Sequence, residues 1–262
     1  MKIFVALFLA TVFAATAFAQ LHGPTPQLLI PAAGSVAGSN GTFFHSDIAI
    51  FNYRNADQTV VLQWLPRGTS GLTLPSVQIR VNALSGIISQ DFVADFMHQS
   101  GLGAIRVTAI DASGQFDFEA RLVATDRIWT AQPGVNGTVS QTFPTLATTD
   151  IKSMTPTILG QRISDQYRAN VGIVNLSGFD VTFDVLQNTD DPTAGATVQT
   201  ITIPAFSMQQ VSLLNTKAGA LQIRVTPRTA ISAGEWVTYG SSVDNVTGDS
   251  WSSLGMTITA TP

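Results

Sequence analysis

The sequence predicts an all-β protein: two tandem antiparallel β-sandwich domains, immunoglobulin-like or jelly-roll-like, made by an internal duplication, with one short helix in the first. Three observations predict it. The tetrapeptide Ile-Arg-Val-Thr occurs twice, at residues 105–108 and 223–226. Each copy lies at the same place in a longer series of matching blocks. The composition is that of a β protein, with 11% charged residues against a usual ~25% and only Glu119 and Glu235 as glutamates. Long Lys/Glu-rich helical faces are therefore missing.

The blocks are collinear when the chain is slid against itself by about 120 residues, the spacing of a domain-sized repeat. Asp47-Ile-Ala-Ile-Phe-Asn52 lies on Asn170-Val-Gly-Ile-Val-Asn175. Each block ends in Asn and runs into a polar turn, YRNAD or LSGFD. The turns feed alternating segments, Thr59–Leu65 and Val181–Leu186, followed by Val77–Ser85 and Gln199–Ser207. The two IRVT segments come next. Leu122-Val-Ala-Thr-Asp126 then lies near Ser241-Ser-Val-Asp244. Within the blocks apolar residues alternate with polar ones, as in Val77, Ile79 and Val81 against Gln78 and Arg80. Period-two alternation puts one face in a core and the other in water, the pattern of a half-solvated antiparallel sheet. Asx, Gly and Pro turn signals punctuate the strands as in a sandwich. Trp64 is in phase with Val60 and Leu62, which predicts a core position.

One segment has a helical period. Ser89–His98 puts Phe92, Val93, Phe96 and Met97 on one stripe. Ser89 is placed to cap it, Asp91 suits its positive end, and Gly101 can end it. A lid over an open end of the first sandwich is expected. The counterpart, Ser212–Lys217, is expected to be a turn at most.

The amino terminus is read separately. MKIFVALFLATVFAATAFA has one Lys, an apolar run and an Ala-x-Ala end, which is the pattern of a secretory signal peptide. The run is short for a bilayer span of roughly 20 residues. Residues 1–19 are expected to be removed, leaving a first domain at 20–137 and a second at 138–262, with Gln132–Thr138 as the linker. Loss of Lys2 takes the formal charge from −4 to −5. There is no basic cluster, so nucleic-acid binding is not expected. No later apolar run is long enough to span a membrane. With no cysteine, disulfides, thiolate metal sites and thiol nucleophiles are excluded. The expected location is outside the cytoplasm: periplasmic, cell-surface or extracellular.

NGTFFHSDIAIFN, LQWLPRG, SDQYRANVGIVNLS and SSVDNVTGDSW together resemble an uncharacterised family of secreted bacterial tandem β-sandwich modules. The resemblance runs from about Pro31 to Ser250. It implies architecture and export and carries no reaction. The chain departs from the family phrase at Tyr239-Gly-Ser-Ser and at Ser250.

Motifs for chemistry are sparse. G-x-S-x-G, H-E-x-x-H and phosphate-binding glycine loops are absent. His22, His45 and His98 are scattered, and no partner cluster accompanies any of them in the sequence. Glu119 and Glu235 are expected on comparable strands of different repeats, which is far apart for a glycosidase pair. Glu119, between Asp117 and Arg121, is expected on the wet face of a strand. Asp244-Asn-Val-Thr-Gly-Asp249 has two readings. Asp244, Asn245 and Asp249 supply the oxygens a calcium ion wants, and the same residues make ordinary Asx turns. Trp129 and Trp251 fall near loops after the last shared block. They are expected at equivalent positions, sealing each domain's end or offering a ring to a sugar. No catalytic residue is expected. The expectation is a non-catalytic exported protein with a structural or adhesive envelope role, its partners being itself, other envelope proteins or glycans. The alternative is an extracellular carbohydrate-binding module.

Overall fold

The computed structural model describes residues 23–132, 134, 136–151, 157–189, 197–214, 219–232 and 234–255. The expected signal segment and His22 lie outside them, as do residues 215–217 of the expected Ser212–Lys217 turn. The protein is all-β and antiparallel. Its strands are β1 (Gln27–Ala37), β2 (Phe43–Asn52), β3 (Gln58–Pro66), β4 (Val77–Val81), β5 (Gly86–Ser89), β6 (Gly101–Ile110), β7 (Leu122–Ala131), β8 (Thr138–Thr142), β9 (Leu146–Ala147), β10 (Thr157–Ile163), β11 (Tyr167–Asn175), β12 (Val181–Thr189), β13 (Thr197–Ile203), β14 (Ser207–Ser212), β15 (Gly219–Pro227), β16 (Trp236–Asp244) and β17 (Ser250–Leu254). No helix among the described residues is long and apolar enough to cross a membrane.

Strands β1–β9 form one sheet that folds over at the β1–β2 hairpin. One half has the order β4-β3-β6-β1, with β9 on β1, and the other is β5-β2-β7-β8. Leu28, Ile30, Val60, Leu62, Trp64, Ile105 and Val107 from the first half meet Ile48, Ile50, Leu122 and Ala124 from the second in one core. The second unit has two sheets, β10-β15-β12-β13 and β14-β11-β16-β17, closed around Phe183, Val185, Ile223, Val225, Val171, Ile173 and Trp236. The two strand orders are the same. Both first strands carry a bulge at the same place, between Ile30 and Ala33 in β1 and between Ile158 and Gln161 in β10.

The Asn that ends each leading block explains why the blocks persist. Asn52 Nδ2 donates to the carbonyls of Ala56, Val81 and Asn82 at 2.8, 3.3 and 3.2 Å. Asn175 Nδ2 donates to Phe179, Ile203 and Pro204 at 2.8, 3.1 and 3.0 Å. Each Oδ1 accepts the amide two residues on, Arg54 and Ser177, at 2.9 Å. Both side chains are fully buried. One amide thus ties its own turn to the strand that crosses it, satisfying backbone groups the core would otherwise leave bare. The crossing chain then turns through a left-handed residue in both copies, Leu84 at φ 47° and Phe206 at φ 46°.

Four expectations are corrected. The boundary at residue 137 falls inside the first sandwich. Gln132 N donates to the Gly137 carbonyl at 2.9 Å, closing a hairpin that lays β8 on β7, and β9 pairs with β1. Strand pairing of the second unit begins only at β10. The helix is one turn, α1 (Phe92–Asp95). Its stripe is as expected, with Phe92, Val93 and Met97 buried in the first core, but His98 at φ 53° breaks the run and Gly101 starts β6. Third, Asn52 pairs with Leu122 and Asn175 with Trp236. Leu122–Asp126 therefore matches Trp236–Gly240 and not the Ser241–Asp244 stretch. Fourth, Glu119 is in a turn before β7 and Glu235 in a bend before β16, so neither is on a strand.

The units dock face to face. Leu29, Leu65 and Ala104 on the outer side of β1, β3 and β6 pack on Val174, Met208, Val237 and Tyr239 from β11, β14 and β16. Tyr239 lies flat on Gly172, where a Cβ would collide with its ring. Main-chain bonds cross the joint from Gly68 N to Met208 O at 3.0 Å and from Gly71 N to Ala205 O at 3.1 Å. Arg106 stands over the Phe206 ring, 5.1 Å from its centroid.

Candidate functional site

One end of the second sandwich carries an open cleft. It holds about 390 Å³ and is lined by Gly160, Arg162, Tyr167, Asp244, Asp249 and Trp251. Small-ligand sites begin at roughly 300 Å³. The cleft lies between β10 of one sheet and the ends of β11, β16 and β17 of the other. The fold makes it in three steps. Strand register sets Tyr167 beside Asp244 and Trp251 beside Ser242, all on the core side of their sheet. The bulge in β10, with Gly160 at φ 76°, turns the Gly160 carbonyl to accept Trp251 Nε1 at 3.1 Å. The indole is thereby fixed edge-to-face with Tyr167, 5.9 Å between centroids. Arg162 lies over the other aromatic surface, 5.8 Å from the Tyr167 centroid.

The 244–249 stretch is a built turn. Asp244 Oδ1 accepts the amides of Val246 at 2.7 Å and Thr247 at 3.2 Å, and Oδ2 accepts Gln166 Nε2 at 3.1 Å. The Val246 amide is the main reason its carboxyl sits below the usual range. Asn245 Oδ1 accepts Arg168 Nη1 at 2.6 Å, and Asp249 Oδ1 accepts the Ser250 amide at 3.0 Å. This donor set does not fit calcium. A guanidinium already sits on Asn245, and amide hydrogens point at the Asp244 oxygens. Among the described residues no group of three or more His, Cys, Asp or Glu could hold a metal. The stretch instead shapes one wall of the cleft.

No protein family, curated protein or solved structure matches this chain. Its function must therefore be read from its own geometry.

The fold brings together three of the residues singled out in the sequence, Asp244, Asp249 and Trp251, and leaves Trp129 elsewhere. Trp129 is on β7 of the first sandwich, opposite His45 of β2. By register it matches Val243, while Trp251 belongs to β17, so the two tryptophans are not equivalent. Sequence reasoning missed Tyr167, Arg162 and Gly160. Tyr167 and Trp251 lie 84 positions apart in number, and only the β11–β16–β17 register joins them. Trp64 is buried in the first core as expected, and Trp236 is buried against Phe183 at 5.2 Å.

The described residues bring one Ser, His and Asp together. His45 Nδ1 is 2.7 Å from Asp91 Oδ2, and Ser35 Oγ donates to that same oxygen at 3.0 Å. In a triad the hydroxyl must lie on the imidazole, so that the ring can take its proton. Here the hydroxyl lies on the carboxylate, and the set has no nucleophile–base hydrogen bond.

Proposed function

We propose that the protein is an exported, non-catalytic adhesion protein that contacts an extracellular glycan through the open end of its second sandwich. The observation that carries this is the cleft in which Trp251, fixed by the Gly160 carbonyl, meets Tyr167 beside Arg162 and Asp249. A sugar ring has an apolar C–H face and a rim of hydroxyls. A held aromatic ring next to an ionic donor and an ionic acceptor is complementary to both. Large aromatic anchors in a shaped pocket are where binding energy concentrates. The cleft's lining includes no Ser, Thr or Cys, and its Asp244 is committed to turn amides, which supports binding over catalysis. The apolar joint between the units supports a stiff two-domain body, as suits an adhesive or structural role outside the cell. The Ala-x-Ala leader supports export.

The test is a glycan array probed with the purified protein, followed by titration of the best ligand against Tyr167→Ala. Loss of about tenfold in affinity, worth ~1.4 kcal/mol, is expected. An array without ligands, or an unchanged affinity in Tyr167→Ala, contradicts the reading.

A further inference from the structure

We propose a second ligand site, independent of the cleft: the free outer face of β5-β2-β7-β8 binds a neutral linear polysaccharide. Along β2 the side chains alternate, so Phe43, His45, Asp47, Ala49 and Phe51 share the side away from the core. Three rings make a continuous shelf at one end. Phe43 touches His45 at 4.8 Å, and His45 stacks on Trp129 at 4.9 Å with 28° between planes. Each heteroaromatic ring is fixed by a hydrogen bond. Trp129 Nε1 donates to the Gln90 carbonyl at 3.0 Å, and His45 Nδ1 is held by Asp91. Asp91 is in turn held by Ser35, and its amide donates to Ser89 Oγ at 3.0 Å. No hydrogen bond from His45 Nε2 is found among the described residues. At the other end Phe51 meets Tyr53 at 4.7 Å. The two aromatic stations are six residues apart on β2, about 20 Å at ~3.4 Å per residue. Between them lie Ile88, 71% exposed and opposite Ala49, and the Asp47–Arg127 ion pair at 3.1 Å.

Folding alone does not require this arrangement. Phe43 is 44% and Tyr53 55% exposed, and a network of four polar groups is spent on orienting rings at a surface. Ring orientation locked by supporting hydrogen bonds is how a binding group is held ready.

The choice of occupant follows from the face and from its counterpart. The matching face of the second sandwich, on β11 and β16, is buried at the joint. A second copy of the chain that covered the free face in the way the two units dock would have to offer the equivalent of the docked β1-β3-β6 surface. That equivalent is on β10, β12 and β15, where Leu29, Leu65 and Ala104 are matched by Thr157, Asn188 and Gln222. The apolar contacts that hold the joint are therefore missing there. Nor is the free face a contiguous apolar core of the kind protein partners bury, because the Asp47–Arg127 pair separates Ile88 and Phe51 from the His45–Trp129 shelf. Separate rings with a paired, net-neutral polar centre suit a chain that presents C–H faces and hydroxyls in turn. The pair leaves no uncompensated charge to select an acidic polymer.

The test is native electrophoresis of the whole purified protein through gels containing hydroxyethyl cellulose, mixed-linkage β-glucan, xylan, mannan or, as acidic controls, alginate and pectin. Retardation by at least one neutral polymer is expected. Trp129→Ala and, separately, Phe43→Ala should each weaken it about tenfold or more, and Trp251→Ala should leave it unchanged. Phe43 is exposed, so that variant keeps the fold and reports the shelf alone; circular dichroism checks both. No retardation by any neutral polymer, retardation confined to the acidic controls, or a complex with another protein that Phe43→Ala abolishes would overturn the proposal. Retardation lost in Trp251→Ala but kept in Phe43→Ala would also overturn it, and would leave the cleft reading standing.

Discussion

The two sandwiches share a strand order, a bulge and an asparagine tie, yet they differ at one end. In the first, residues 90–100 carry α1, and Phe92, Val93 and Met97 fill the space between the sheets. In the second, Leu213 is the described residue of the corresponding connection that enters the core, and a cleft lined by Trp251, Tyr167 and Arg162 lies at that end. The difference teaches that the duplicated frame is held by main-chain ties, and the ends are free to diverge.

A second contrast lies in the interior. Ala33 matches Gln161 at the bulges, and Asp126 matches Gly240 across the sandwich. In the second unit the polar group comes from β10. Gln161 Nε2 donates to Ser253 Oγ at 2.8 Å and Oε1 accepts Ser242 Oγ at 2.7 Å. A Cβ on Gly240 would overlap it. In the first unit the polar group comes from β7. Asp126 is 2% exposed, and neither of its oxygens has a hydrogen-bond partner among the described residues. Burial, with a smaller contribution from the nearby Asp47, pushes its carboxyl well above the usual range. The Tyr239 hydroxyl, buried and also without a partner, is pushed up by burial and then by Asp126. The same interior volume is thus filled by a satisfied amide in one unit and an unsatisfied acid in the other.

The largest expected effect tests the shared frame. Asn52→Ala and Asn175→Ala each leave buried carbonyls bare, at about 1–3 kcal/mol per unsatisfied group. Urea unfolding should show losses of roughly 3 kcal/mol in both. A large loss in one and none in the other would break the equivalence of the ties.

The interior contrast gives opposite signs. Gln161→Ala removes a satisfied group and should cost about 1–3 kcal/mol. Asp126→Asn should stabilise at pH 7 by a similar amount. The sign follows from linkage. A carboxyl whose folded pKa is raised ionises first in the unfolded chain, so ionisation weakens folding. The wild type should lose stability as pH rises above the ordinary Asp value of about 3.9 and until the folded pKa is passed. Thermal midpoints of wild type and Asp126→Asn should therefore be close below about pH 3.9 and diverge as pH rises. A constant gap would contradict this.

The smallest effect separates the two left-handed turns. Leu84 is 57% exposed, and Leu84→Gly relieves left-handed strain of about 1 kcal/mol against a similar backbone-entropy cost. Its midpoint should move by little. Phe206→Gly has the same local gain but loses the Arg106 contact at the joint, so it should be clearly less stable.

Much of this was legible in sequence. Alternation marked the faces of β4 and β6, and the turn-initiating Asn of each repeat marked the ties. The hairpin at 132–138 is not legible in sequence because Gln-Pro-Gly-Val-Asn-Gly has the composition of a linker, and composition does not say whether the next strand turns back. The tryptophan equivalence fails because Trp129 is on β7 and Trp251 on β17, and aligning Asp126 on Asp244 runs β7 against β16 four residues out of step. Nothing local distinguishes Leu-Val-Ala-Thr-Asp on Trp-Val-Thr-Tyr-Gly from an alignment on Ser-Ser-Val-Asp. The cleft and the shelf were illegible for a different reason. Both are made by cross-strand neighbours, Tyr167 with Trp251 and His45 with Trp129, and register is a property of the assembled sheet.

The most direct measurement of the central claim is calorimetric titration of a bound glycan into wild type and Trp251→Ala, with unfolding midpoints matched beforehand. Trp251→Ala should weaken binding by about tenfold or more, as loss of an aromatic anchor does. Equal affinity in the two proteins would remove the open end of the second sandwich as the site of recognition.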